Sequence, residues 1–107
     1  MKSEHMEQRE FVSWFRKTYD PVRIFAIPNG GSRSRSVGAK LKVEGVSAGV
    51  PDLYIPEWRM WIEMKTADGG KVSAVQRSWL DYLVAIGDCV IVAHGCEDAR
   101  RKILESD

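Results

Sequence analysis

Cysteine and long apolar runs are both scarce in this sequence, and each shortage excludes a class of protein. The 107 residues include only two cysteines, Cys89 and Cys96, which is too few for the disulfide framework of a small secreted domain. The longest apolar runs, such as residues 90–93, fall far short of the roughly 20 residues that a membrane-spanning helix needs. The charged first residues are followed by no apolar stretch of the kind found in secretory signals. We therefore expect a soluble, cytoplasmic protein.

The net charge of the sequence is close to zero. Sixteen Lys and Arg residues stand against fifteen Asp and Glu residues, for a formal charge of +1. Attraction to a polyanion must therefore come from local clustering of charge. What the sequence does have is a globular composition, with 44% hydrophobic residues and four tryptophans. Its length predicts a single domain over residues 1–107.

Apolar periodicity along the chain predicts a small α/β domain. Apolar residues at three- and four-residue intervals, closed by Asp20-Pro21, indicate a first helix at about residues 4–19. β-branched and aromatic runs indicate strands, and residues 56–59 read as a turn between two of them. The predicted strands are 22–27, 52–55, 60–65 and 89–93, and the further helices are 37–44, 73–86 and 97–104. A hairpin followed by a helix-linked strand predicts a small mixed sheet flanked by helices.

The predicted hairpin carries the residues with the strongest chemical signal. Alternation along the second strand of the hairpin puts Trp61, Glu63 and Lys65 on one face. If the hairpin brings Asp52 near Glu63, the two carboxylates repel each other, and a divalent cation relieves that repulsion. Carboxylate oxygens suit the hard cations Mg²⁺ and Mn²⁺. The alternative is an ordinary solvated Glu-x-Lys ion pair beside a Pro-Asp turn.

Such a cation site is suited to cleaving a phosphodiester bond. The cation polarises the phosphoryl group and lowers the pKa of a bound water. Lys65 follows Glu63 on the same strand face, where its ammonium group can orient that water or offset charge in the transition state. The sequence therefore indicates a hydrolytic role for Asp52, Glu63 and Lys65.

The order of these motifs resembles the PD-(D/E)XK nucleases, and in its wider pattern the VRR-NUC (virus-type replication-repair nuclease) branch. The signature is Pro51-Asp52 followed by Glu63-Met64-Lys65. The further matching positions are Glu7-Gln8, residues 27–31 with Arg33, Leu41-Lys42, Gly45-Val46, residues 49–53, and Ser73 with Gln76. The resemblance implies a restriction-endonuclease-like αβββαβ core and cleavage of DNA that depends on Mg²⁺ or Mn²⁺.

The same resemblance implies roles for particular residues. Catalytic roles are implied for Asp52, Glu63 and Lys65, and the backbone carbonyl of Met64 completes the metal site. Glu7 is implied as a catalytic acid on the first helix and a further candidate metal ligand, although any helix surface is rich in glutamate. Gln76 is implied as a catalytic-site polar group. Its S-x-x-Q spacing from Ser73 equally predicts a helix capping box.

A basic segment predicts where nucleic acid binds. Residues 23–44 hold five cations against the single acid Glu44, and such a patch beside a carboxylate site can hold phosphates. The DNA-binding residues predicted here are Asn29, Gly30, Gly31, Arg33, Arg35, Lys40 and Lys42. The alternative is a solvated loop. Nothing in the segment encodes base readout, so we expect recognition of DNA shape.

The resulting hypothesis is a metal-dependent endonuclease for branched DNA. Its expected substrates are four-way junctions or flaps in phage or mobile-element replication and repair, in a bacterial or phage-infected host cell. A two-fold junction matches a homodimer with two sites. One alternative is a nicking or flap nuclease subunit that acts with a helicase, and another is a non-catalytic DNA-binding or interaction module. Action on RNA is a third and weaker alternative.

The remaining chemically distinctive residues are predicted to be structural. Cys89, Cys96 and His94 lack the ligand spacing of structural zinc sites, and Cys89 is predicted to be buried on a core strand. Trp14 and Trp79 lie on apolar helix stripes and are predicted to belong to the core. Trp58, at the predicted hairpin tip, is predicted to be exposed.

Overall fold

A four-stranded sheet in the order β1-β2-β3-β4 organises the chain. The structure is a computed structural model and describes residues 1–28 and 35–106. The strands are β1 (Phe25–Ala26), β2 (Leu53–Ile55), β3 (Met60–Lys65) and β4 (Cys89–His94). The helices are α1 (Glu4–Thr18), α2 (Arg35–Val43), α3 (Ala74–Ala85) and α4 (Cys96–Glu105), with a 3₁₀ turn at Pro56–Trp58. None of the helices described is long and apolar enough to cross a bilayer.

The sheet is mixed, as the sequence predicts. β2 pairs antiparallel with both β1 and β3, whereas β3 and β4 run parallel and are connected through α3. In the β2–β3 hairpin Leu53 lies opposite Ile62, and Ile55 lies opposite Met60. The predicted α/β class with helices flanking a small mixed sheet is therefore confirmed.

One face of the sheet carries the hydrophobic core. Side chains from β2 and β3 on this face pack against α1 and α4, because alternate residues of a strand point to the same side. The buried core set is Phe11, Phe15, Ile24, Leu53, Ile55, Met60, Ile62, Met64, Ala93, Cys96, Ala99 and Ile103. The intervening residues of β3 point to the opposite face, which leaves that face for polar chemistry.

β1 is shorter than the predicted strand 22–27. Its partner β2 has only three residues and is bounded by Pro51 and Pro56, neither of which can donate a backbone hydrogen bond. Beyond the strand, pairing continues through one bond, from the N–H of Ile27 to the carbonyl of Asp52 at 2.8 Å. The short β2 therefore limits how far β1 can pair.

Three of the predicted burial states are wrong. Cys89 is exposed because it begins the edge strand β4. Trp58 is partly buried, because the 3₁₀ turn packs its ring edge-on against Phe15, with the centroids 5.3 Å apart. Trp79 lies outside the core and packs instead edge-on against Tyr82 at the protein surface.

Candidate active site

The β2–β3 register places two carboxyl groups together. Asp52 directly precedes β2, in which Leu53 pairs with Ile62 of β3. Continuing this antiparallel register by one residue places Asp52 across from Glu63. The backbone N–H of Met64 donates to Oδ2 of Asp52 at 2.8 Å. The Asp52 carboxyl group is therefore held against β3.

Lys65 lies beside these carboxyl groups in a buried position. Two residues apart on β3, Glu63 and Lys65 point to the same face of the sheet. The Nζ atom of Lys65 lies 3.7 Å from Oε2 of Glu63, and the two residues are 7% and 2% exposed, respectively. Charges on groups this buried are screened little by solvent.

Gln76 connects the carboxylate and the lysine from the first turn of α3. Its Oε1 atom accepts hydrogen bonds from Nζ of Lys65 and from the backbone N–H of Ser73, each at 2.9 Å. Its Nε2 atom donates to Oε2 of Glu63 at 3.1 Å. Oγ of Ser73 in turn accepts from the backbone N–H of Gln76 at 3.2 Å, which completes a capping box. The capping role and the site role, which the sequence presents as alternatives, are thus filled by one side chain.

A close backbone approach at Gly49 brings α3 to the site. Gly49 has φ +90, and a Cβ atom added there would lie 2.8 Å from the carbonyl oxygen of Val75 and 3.1 Å from the backbone nitrogen of Gln76. Only glycine combines this conformation with this approach. The segment leading to Asp52 therefore packs directly against the helix turn that carries Gln76.

We expect Gly49→Ala to lower the free energy of unfolding by about 2–4 kcal/mol, because the new methyl group meets fixed backbone at a strained φ. The matched control is Gly45→Ala, since Gly45 has φ +105 but open space around the added Cβ. The control should lose about 1 kcal/mol, the conformational cost alone. Urea unfolding of both variants measures the difference, and equal losses would contradict a packing role for Gly49.

Burial and mutual repulsion raise the pKa values of the two carboxyl groups. The pKa of Glu63 is raised to about 8, first by burial and then by the negative charge of Asp52, while the positive charge of Lys65 acts in the opposite direction. The pKa of Asp52 is also raised, mainly by burial, and the N–H of Met64 opposes this. Two adjacent acids whose pKa values are both raised are typical of a site that binds a positively charged group.

The donor set fits a hard divalent cation. The hydrogen bonds described above occupy Oδ2 of Asp52 and Oε2 of Glu63, and the two carboxyl groups also hydrogen-bond to each other. Within residues 1–28 and 35–106 no cluster of three or more His, Cys, Asp or Glu side chains forms a metal cage. Mg²⁺ commonly uses only one or two carboxylates and retains several waters. Asp52 and Glu63 therefore match the needs of Mg²⁺ or Mn²⁺ better than those of zinc.

Comparison with solved structures finds a chain described as a "VRR_NUC domain protein". The two chains align with a TM-score of 0.82 and 25% sequence identity, over 98% of this chain and 88% of the other. The chain therefore has the fold of a VRR-NUC domain. The restriction-endonuclease-like fold that the sequence predicts is therefore confirmed. Comparison of the sequence with protein-family models finds no match, and comparison with curated proteins finds none.

Glu7 has its hydrogen-bond partner outside the group formed by Asp52, Glu63, Lys65 and Gln76. It is 7% exposed, and its Oε1 atom accepts a hydrogen bond from the backbone N–H of Cys96 at 3.0 Å. Gly95, the N-cap residue of α4, has no side chain to cap the helix, so Glu7 supplies this acceptor from α1. The structure therefore shows Glu7 as a buried helix cap, and its role as a metal ligand stays a prediction.

Glu4 is an acidic residue of α1 that the sequence analysis missed. Its negative charge contributes to the raised pKa of Glu63, which places the first turn of α1 within electrostatic reach of the site. Its sequence signal is weak, because α1 begins with several glutamates of which Glu4 and Glu7 share the first turn. The sequence reasoning selected Glu7 instead of Glu4.

The predicted DNA-binding residues are only partly described. Arg35, Lys40 and Lys42 lie on α2, which has no buried residue, and all three are exposed. Asn29, Gly30, Gly31 and Arg33 lie outside the described residues. DNA contact by this basic segment stays a prediction.

Proposed function

We propose that this VRR-NUC domain is a metal-dependent nuclease that hydrolyses phosphodiester bonds in DNA. The observation that carries the proposal is the buried cluster in which Gln76 bonds to both Lys65 and Glu63, with Asp52 opposite Glu63. Acid pairs with an adjacent lysine are suited to phosphodiester hydrolysis. The structural neighbour supports a nuclease-type domain.

Each residue of this cluster has a separate role in the proposed reaction. A cation would be held by Asp52, Glu63 and, as the sequence predicts, the carbonyl of Met64, and its contribution when bound is polarisation of the phosphoryl group. The ammonium group of Lys65 orients the attacking water and stabilises negative charge on the phosphoryl oxygens. Gln76 holds Lys65 and Glu63 in a fixed relation, so little reorganisation is needed during the reaction.

Comparing Ser73→Ala with Gln76→Ala separates capping from the site role of Gln76. Both variants lose part of the capping box, so each should lower the free energy of unfolding by about 1 kcal/mol. Only Gln76→Ala also releases Lys65 and Glu63, and we expect it to lower the rate of DNA cleavage roughly 10- to 100-fold. Urea unfolding and single-turnover cleavage measure the two effects. Equal cleavage rates for the two variants would limit Gln76 to capping.

We further propose branched DNA, such as four-way junctions or flaps, as the substrate. Readout of DNA structure is supported by the basic helix α2, whose cations Arg35, Lys40 and Lys42 are suited to phosphates and encode no base sequence. Two cuts in a two-fold junction match a homodimer with one site in each copy. Light scattering after size-exclusion chromatography measures that oligomeric state.

The deciding experiment is a cleavage assay on labelled four-way, flap and linear duplex DNA. We expect cleavage with Mg²⁺ or Mn²⁺, none with EDTA, and a preference for the branched substrates. Binding to DNA without cleavage under any of these conditions would instead support a non-catalytic DNA-binding module. Preference for flaps over four-way junctions would favour a flap nuclease subunit.

A further inference from the structure

A basic groove runs between α1 and the edge strand β1. It has a volume of about 570 Å³. On the α1 side it is lined by His5, Arg9, Arg16 and Lys17, and on the other side by both residues of β1. No carboxylate is among the described side chains that line it. The groove therefore offers three cationic groups to a ligand.

The three cations of the groove form no ion pair among the described residues. On α4, Arg101 pairs with Asp98 at 2.6 Å, but within residues 1–28 and 35–106 no ion pair includes Arg9, Arg16 or Lys17. Glu10, which follows Arg9, is bonded to Lys2 at 2.8 Å. The described ion pairs therefore leave the three cations available to an anion.

Arg16 is also held in place at the groove. Its Nη2 atom donates to the backbone carbonyl of Ile24 at 3.1 Å, and Ile24 directly precedes β1 and is buried. This bond joins the two walls of the groove and leaves the rest of the planar guanidinium group for an anion. A cation positioned in this way loses less conformational entropy on binding than a freely rotating one.

Both walls of the groove begin beside the carboxylate site. Ile27, just after β1, donates its N–H to the carbonyl of Asp52 at 2.8 Å. On the other wall, Glu7 lies two residues after His5 and accepts from the backbone N–H of Cys96. The preceding residue, Gly95, donates its N–H to the carbonyl of Lys65 at 2.9 Å. A chain lying in the groove would therefore extend away from the site along α1.

We propose that this groove binds the phosphate backbone of the DNA strand that leads away from the site. The inference rests on the proposed function, because it takes DNA as the ligand. Arg9 and Arg16 are seven residues apart, which corresponds to about 10 Å along the helix. A groove of this length accommodates about two successive phosphates of one strand. Such contacts add affinity and direction without reading base sequence.

The test is DNA binding by the double variant Arg9→Gln/Lys17→Gln, which leaves the Arg16 bond to Ile24 intact. Binding of labelled duplex and single-stranded DNA is measured in EDTA over a series of salt concentrations. We expect affinity at low salt to fall roughly 10- to 100-fold, and the slope of log K against log salt to flatten by about 1.4–1.8, for two lost phosphate contacts.

The matched control is Arg100→Gln/Arg101→Gln, which removes the same charge from the exposed surface of α4. We expect its affinity to stay within about twofold of wild type, because α4 lies outside the groove. Equal losses in the two double variants would mean that overall charge is responsible, and this overturns the inference. The inference is also overturned if Arg9→Gln/Lys17→Gln binds DNA with the affinity and salt slope of the wild type, or if the wild-type protein does not bind DNA.

The assay separates this inference from the nuclease proposal. Binding in EDTA needs no cleavage, so groove-dependent binding by a protein that never cuts DNA supports the groove and contradicts the nuclease proposal. Metal-dependent cleavage with binding that is insensitive to the groove substitutions supports the nuclease proposal and overturns the groove. Circular dichroism of each variant checks that it is folded. The single variants Arg9→Gln and Lys17→Gln should each show about half of the change in the slope of log K against log salt.

Discussion

We expect replacement of Lys65 with alanine to lower the rate of DNA cleavage by roughly 1,000-fold, one of the largest changes expected of a single substitution in this domain. The Nζ atom of Lys65 is fixed by Oε1 of Gln76 at 2.9 Å and lies 3.7 Å from Oε2 of Glu63. Its charge is therefore already in place when negative charge develops on the phosphoryl group. Single-turnover cleavage with excess protein measures the rate of the chemical step.

One control and two further site variants test whether this result is specific to the site. Lys102→Ala removes a partly exposed lysine from α4, where it bonds to the carbonyl of Val92, and should leave cleavage within about threefold of wild type once folding is confirmed. Asp52→Asn and Glu63→Gln should reproduce the large loss, since each removes a negative charge from the expected cation site. Cleavage by Lys65→Ala at more than a tenth of the wild-type rate would rule out the role assigned to this lysine.

The second large effect is a fall in stability of the metal-free protein as pH rises from about 4.5 to about 8. The pKa of Glu63 is raised to about 8 in the folded protein, whereas an unfolded glutamate titrates near its ordinary value of about 4.3. Between these values the folded state keeps a proton that the unfolded state has lost. The stabilisation that Glu63 contributes is therefore complete below about pH 4.3, the pKa in the unfolded state, and is lost as pH rises through about 8, the pKa in the folded state. The raised pKa of Asp52 acts in the same direction.

We expect the free energy of unfolding in EDTA to fall by on the order of 3 kcal/mol over this pH range. Glu63→Gln should remove most of this dependence, because glutamine is neutral throughout. Glu57→Gln is the matched control, an exposed acid in the 3₁₀ turn, and should keep the wild-type dependence. Urea unfolding at a series of pH values measures the slope. A stability that rises between pH 5 and pH 8 in wild type would contradict the buried acid pair.

The central geometry of the site could be predicted because it depends on local rules. Strand alternation alone places Glu63 and Lys65 on one face of β3, opposite the buried Ile62 and Met64. The antiparallel hairpin then determines which residue lies across from Glu63, and the observed register places Asp52 there. Each step involves neighbouring residues or a single short turn, so the sequence contained the information.

Contacts between distant segments were not predictable in the same way. Glu7 caps α4 across 89 residues of sequence, a contact that depends on how α1 packs against the sheet. Trp58 is partly buried because the 3₁₀ turn packs it against Phe15 and Tyr19. The ring of Trp61 donates to Asp88 at 2.9 Å, which ties the hairpin to the start of β4. No local pattern indicates any of these pairs.

The sequence by itself determined the fold class, the paired carboxylates and the lysine beside them, because strand periodicity and hairpin register act over a few residues. Tertiary structure alone decided that Gln76 serves both the helix cap and the site, since this requires α3 to approach the backbone at Gly49. It also decided that Glu7 caps the N-terminus of α4 and that the cations of α1 face an open groove. The physical reason is that helix packing is governed by shape and burial summed over the whole core, which no short segment encodes.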